Sequence, residues 1–152
     1  MTTPASDLSE LYQEVVLDHG KRPRNYGPLE AATHHAEGLN PLCGDHLTVH
    51  ARVEDGVVRE VRFEGSGCAI SKASASVMTG VVKGKTAAEV SALYERFHHL
   101  VTDGPGEDDA SLGKLAVFAG VHEYPTRVKC ASLAWHTLRH ALQGGSAPVS
   151  TE

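Results

Sequence analysis

From Asp45 to Phe63 the chain alternates between apolar and polar positions. Leu47, Val49, Ala51 and Val53 are apolar, and His46, Thr48, His50 and Arg52 between them are polar. A period of two is that of a strand with one face buried. Glu54-Asp55-Gly56 supplies a hairpin turn, and Val57, Val61 and Phe63 carry the return strand. Elsewhere the period is helical. Leu8, Leu11, Tyr12, Val15 and Val16 share a face, with Asp7 and Glu10 in capping-box relation ahead of them and Gly20 as the stop. A second helix spans Ala69 to Lys83 and ends at Gly84. Thr86-x-x-Glu89 opens a third, running to about Leu100. Ser111–Ala119 suits a short helix. Thr126 to Leu142 suits a last long one, with Val128, Ala131, Leu133, Ala134, Trp135, Leu138 and Leu142 on its apolar face. A short edge strand is expected near Ala32–Glu37, a basic loop at Lys21–Pro28 and an acidic loop at residues 103–109. The expected fold is α+β: a small antiparallel sheet of about three strands with helices packed on it. Residues 1–143 read as one domain and 144–152 as a disordered tail.

Composition narrows the function classes. A chain of 152 residues with 41% hydrophobic and 22% charged positions is long enough to bury a real core. A net charge of −5 argues against a basic nucleic-acid-binding face. The uncharged stretches are too short and polar to span a bilayer. The first residues lack the basic and apolar regions of a secretory signal. The expected location is the cytoplasm, where thiols stay reduced.

The chemistry lies in three cysteines, each in its own setting: Pro41-Leu42-Cys43-Gly44-Asp45, Gly65-Ser66-Gly67-Cys68-Ala69 and Arg127-Val128-Lys129-Cys130-Ala131. Three thiols cannot all form disulfides with one another, and no Cys-x-x-Cys motif is present. Cys43 lies just before one strand of the hairpin and Cys68 just after its partner, so an antiparallel pairing places them side by side. Cys68 and Cys130 fall at or just inside expected helix starts, where free N–H groups and the helix dipole favour a thiolate. Gathered together, three thiolates with Asp45 make a four-donor set of the kind zinc prefers. Inert buried cysteines are the plainer alternative. Such a site carries formal charge −2 with zinc, which Lys72, Arg127 or Lys129 would offset. Arg127 reads equally as a site residue or as a solvated helix-start arginine. The ten histidines offer other ligands. His46 and His50 read more simply as the polar side of the strand, and His19, next to Asp18, as a histidine stabilised by a helix C-terminus.

These motifs resemble the IscU/NifU family of iron–sulfur cluster assembly proteins. The resemblance runs from Leu11-Tyr12 through Asp18-His19 and Arg22-Pro23-Arg24-Asn25-Tyr26-Gly27 to the three cysteine segments, ending at Ala134-Trp135. Lys129, where the scaffold branch has a histidine, and the added material at Gly106–Tyr124 are hallmarks of the SufU branch. That resemblance implies a zinc-dependent sulfurtransferase with Cys43, Asp45, Cys68 and Cys130 as zinc ligands. It also implies a SufS-type cysteine desulfurase and downstream iron–sulfur assembly proteins as partners. In the family mechanism a desulfurase histidine enters the zinc shell and frees the thiolate matching Cys43 to accept persulfide sulfur. The alternative is a scaffold that assembles an iron–sulfur cluster on the three cysteines.

Overall fold

The computed structural model describes residues 4–104, 109–144 and 148–150. Helix α1 (Pro4–Lys21) leads into strands β1 (His34–Asn40), β2 (Asp45–Glu54) and β3 (Val57–Ser66). Helices α2 (Ala69–Val81) and α3 (Ala87–Asp103) follow, then a run of 3-10 turns (Asp109–Glu123), helix α4 (Pro125–Leu142) and strand β4 (Val149–Ser150). The expected hairpin is present. Asp55 and Gly56 both take positive φ, 53° and 74°, the two-residue turn whose twist matches antiparallel strands. The capping box is also present: Glu89 N–H donates to Thr86 Oγ1 at 3.2 Å, and Thr86 N–H donates to Glu89 Oε1 at 3.0 Å.

The sheet has four strands, not three, in the order β3-β2-β1-β4. β1 is antiparallel to β2, and β4 is parallel to β1 through Gly38↔Val149 and Leu39↔Ser150. The segment near Ala32–Glu37 is therefore an inner strand, shifted to His34–Asn40. Val149–Ser150, in the expected tail, supplies the fourth strand. Two residues have too little periodicity to announce a strand, and their pairing partner lies far off in sequence.

One face of the sheet packs against α4 and α2, and the alternation shows which one. Leu47, Val49, Ala51, Val61 and Phe63 are buried to within 1% exposure, with the polar residues of β2 on the other face. Trp135 of α4 stacks on Phe97 of α3 at 5.1 Å. Phe97 meets Phe118 of the 3-10 run edge-on at 5.8 Å, and Phe118 meets Tyr12 of α1 at 5.9 Å. The short helix expected over Ser111–Ala119 is present as 3-10 turns, broken at Gly113, where φ is 59° and ψ is −126°. α1 begins at Pro4, which leaves Asp7 inside the helix rather than at its cap. The side chains of Leu8 and Leu11, and residues 105–108 of the acidic loop, lie outside the described residues. The basic loop is pinned to the core. Arg24 N–H donates to Ser76 Oγ at 2.7 Å, Asn25 Nδ2 to Thr79 Oγ1 at 3.0 Å and Gly27 N–H to the Phe63 carbonyl at 2.8 Å. Among the described residues no helix is long and apolar enough to cross a membrane.

Candidate metal centre

Four elements meet at one end of the sheet, each bringing a site residue. The loop joining β1 to β2 carries Cys43 and is closed by hydrogen bonds from Cys43 N–H and Gly44 N–H to the Asn40 carbonyl, at 3.3 and 2.9 Å. Asp45 opens β2, opposite Asn40 in register. β3 is paired with β2 as far as His46↔Ser66, so Gly67 and Cys68 emerge beside Asp45. A Cβ on Gly67 would lie 2.7 Å from Asp45 Oδ1, which is closer than real side chains approach. Cys68 is the N-cap of α2, its sulfur accepting from Ser71 N–H at 3.4 Å. Cys130 comes from α4. It is the sixth residue of that helix, beyond the four N–H groups that a helix start leaves free. The expected stabilisation by a helix start therefore applies to Cys68 and not to Cys130.

The ligand atoms of Cys43, Asp45 and Cys130 lie within 4.8 Å of one another. Cys68 is outside that mutual trio, but its thiol hydrogen-bonds with Cys130 and its N–H donates to Asp45 Oδ1 at 2.9 Å. Asp45 is only 2% exposed, and its other oxygen accepts from Asn40 Nδ2 at 3.1 Å. Asn40 Nδ2 also reaches Cys130 Sγ at 3.4 Å. Asn40 is fully buried and its Oδ1 has no partner. Cys130 is buried, whereas Cys43 and Cys68 are partly exposed.

Electrostatics separates the thiols. The hydrogen bond with Cys130 lowers the Cys68 pKa to about 6 against the opposing effect of burial, and the Ser71 N–H adds to the lowering. Cys130 is pushed up, first by its hydrogen bond to Cys68 and then by burial. The first thiolate of the pair is therefore Cys68, with Cys130 donating its S–H. Tyr12 is raised to about 12 by burial and then by the Cys68 charge. The exposed Arg127 faces Cys68, Cys130 and Cys43, whose charge holds its pKa above the usual value. Arg127 is thus the positive charge at the thiols. Lys129, two positions on, instead lines a separate cleft with Tyr94, His98 and His136.

The donor set fits a zinc ion. Zinc–sulfur bonds of about 2.3 Å place two tetrahedral ligands roughly 3.8 Å apart, within reach of the Cys43–Asp45–Cys130 spacing. The histidines do not join it. His46 contacts Glu37, and His50 Nε2 contacts Glu64 Oε1 at 3.0 Å on the outer sheet face. His19 is buried with Nδ1 2.6 Å from Ser76 Oγ, and burial lowers its pKa. That is the reverse of a dipole-stabilised, protonated histidine. Asp18 pairs with Arg24 at 2.6 Å, so the Asp18-His19 segment anchors the basic loop. Asn40 and Tyr12 are the site neighbours that the sequence did not single out. An asparagine three residues ahead of a cysteine was the available signal for the first.

The fold is α+β, and the thiol cluster with Asp45 is a candidate metal centre at one end of its sheet. The sequence matches the NifU-like N terminal domain family over residues 11–131, and the chain belongs to that family. It is 40% identical over 138 residues to the iron-sulfur cluster assembly scaffold protein IscU of Thermotoga maritima, covering 91% of this chain and 96% of the relative. It is 35% identical over 144 residues to the zinc-dependent sulfurtransferase SufU of Bacillus subtilis, covering 93% and 97%. Among solved structures, the putative iron-sulfur cluster assembly scaffold protein for the SUF system from Fervidobacterium islandicum AW-1 superposes with a TM-score of 0.80. That protein is 35% identical, with 88% of this chain and 97% of the other covered.

Proposed function

We propose that the chain is a cytoplasmic, zinc-binding sulfurtransferase that accepts persulfide sulfur from a SufS-type cysteine desulfurase and passes it on to iron–sulfur assembly proteins. The observation that carries this reading is the unequal placement of the three gathered thiols. Cys130 is buried on a helix and Cys68 is tied to a helix cap, while Cys43 is partly exposed in a four-residue loop beside Leu42, which is 59% exposed. A thiol that must meet a sulfur carried by another protein needs access. We assign Cys43, Asp45, Cys68 and Cys130 as the metal ligands and Cys43 as the acceptor. Zinc, when bound, would supply a redox-inert charge that keeps its thiol ligands deprotonated.

The transfer step conserves atoms and charge. The Cys43 thiolate attacks the outer sulfur of the desulfurase cysteine persulfide. A new S–S bond forms on Cys43, the old one breaks, and the desulfurase cysteine leaves as a thiolate. Arg127, facing all three thiols, offsets the negative charge brought together there.

The second reading is a scaffold for cluster assembly, favoured by the name of the 40% identical relative. The two separate in one experiment. Zinc and iron are measured on the purified chain, which is then mixed with its cognate desulfurase and cysteine. Sulfur transfer predicts about one zinc per chain and stimulated alanine release, and Cys43→Ala should abolish the stimulation with the fold intact. Stable zinc without stimulation would sink this reading. Anaerobic assembly of a cluster that transfers to an apo-protein would establish the scaffold.

A further inference from the structure

A cleft between α3, α4 and β4 lies apart from the thiol centre and takes no part in the function proposed above. Its volume is about 240 Å³, and Tyr94, His98, Lys129, Ser132 and His136 line it. Among the described residues no carboxylate lines it. Lys129 is half-buried there, and no acidic group pairs with it among the described residues. A concave wall concentrates the field of a cation that has no counter-charge beside it.

Rings surround Lys129 in the cleft. His98 and His136 sit 5.8 and 6.4 Å from the Tyr94 ring, centre to centre. The Arg139 guanidinium lies 4.4 Å from the centre of that ring. Its own carboxylate partner, Glu95, is 66% exposed at 2.7 Å. His136 Nδ1 is buried without a hydrogen-bond partner. The Ser132 hydroxyl is committed to the Val128 carbonyl at 2.7 Å, and Lys129 is the cation of the lining.

We infer that this cleft binds a small oxyanion, a carboxylate or a phosphate, with Lys129 as its counter-charge and the rings of His98 and His136 as hydrogen-bond donors. An oxyanion supplies the charge Lys129 lacks, and the volume exceeds the needs of one such group. The site would act independently of Cys43, because none of its lining residues is a thiol or Asp45.

The test is a titration of the full metal-loaded chain with inorganic phosphate and, separately, with acetate, at pH 7 and an ionic strength held constant with chloride. Ring resonances of His98 and His136 are followed by NMR. Saturable shifts in either arm support the site. Phosphate alone indicates a tetrahedral ligand, and acetate alone a planar one. Lys129→Gln should weaken binding at least tenfold, Lys129→Arg should largely retain it, and far-UV circular dichroism checks that both variants are folded. Shifts that never saturate, shifts reproduced by chloride, or equal binding in a folded Lys129→Gln would overturn the inference. Desulfurase stimulation, measured in parallel, should be unchanged by saturating anion, so failure here and failure of the sulfur-transfer reading are distinguishable.

Discussion

Asn40 ties the thiol centre together without being one of its proposed ligands. Its amide nitrogen reaches both Asp45 and Cys130, and its peptide carbonyl closes the loop that holds Cys43. Partners of this kind orient ligands, and losing one typically costs about 10–100-fold in metal affinity. On the zinc reading, Asn40→Ala should lower zinc affinity by about that factor, read by competition with a chromophoric chelator, while Cys43 stays in place. Unchanged affinity would show that Asp45 is held by the Cys68 N–H alone. Residue chemistry was partly legible in advance. The three cysteines and Asp45 stood out by type and context, and Cys68 took its expected cap. Asn40 did not stand out, because its importance comes from burial and from Cys130, 90 positions away. Lys129 and Arg127 looked equivalent as charges near Cys130. Their separation into a cleft and the thiol centre follows from helical geometry, since two residues apart on a helix point in different directions.

At the scale of elements, the 3-10 run over Asp109–Glu123 shows how little of a segment's role its local pattern reveals. It is expected as added material containing a short helix, and it buries Leu115, Phe118 and Val121 at 1% exposure or less. Phe118 connects Tyr12 to Phe97, and Phe97 connects onward to Trp135. Phe118→Ala should therefore cost about 3–5 kcal/mol, measured by urea unfolding of the metal-loaded chain. A loss below about 1 kcal/mol would mean that the segment only covers the core. The contrast with the β2–β3 hairpin is physical. Alternation, a two-residue turn and a capping box are local signals that name their structure directly. A 3-10 run gets its order from what it packs on.

At the scale of the whole molecule, buried His19 and partly buried His136 oppose folding when protonated. His19 is lowered first by burial, then by Arg24. His136 is lowered first by burial, then by Arg139 and His140. A histidine whose folded pKa lies below its unfolded value is neutral in the native state, while the unfolded chain takes up a proton. Stability from this source is complete above about pH 6.5 and is lost as pH falls through the folded values. Chemical denaturation midpoints should therefore decrease steadily from pH 7 to pH 5, and His19→Gln, if folded, should flatten part of that slope. A midpoint independent of pH over this range would contradict the assignment.

By itself the sequence determined the α+β class, the central hairpin, the capped helix and the identity of the thiols and carboxylate, because each rests on neighbours within a few positions. The hairpin also fixes which strand ends meet, and the contact found there is Cys68 N–H with Asp45. Tertiary structure alone decided the fourth strand, the burial of the 3-10 run and the pinning of Asp45 by Asn40. It also decided the place of Cys130 in the second turn of α4 rather than at its start. Those features come from contacts between distant segments, whose free energy depends on packing and desolvation that no local pattern encodes.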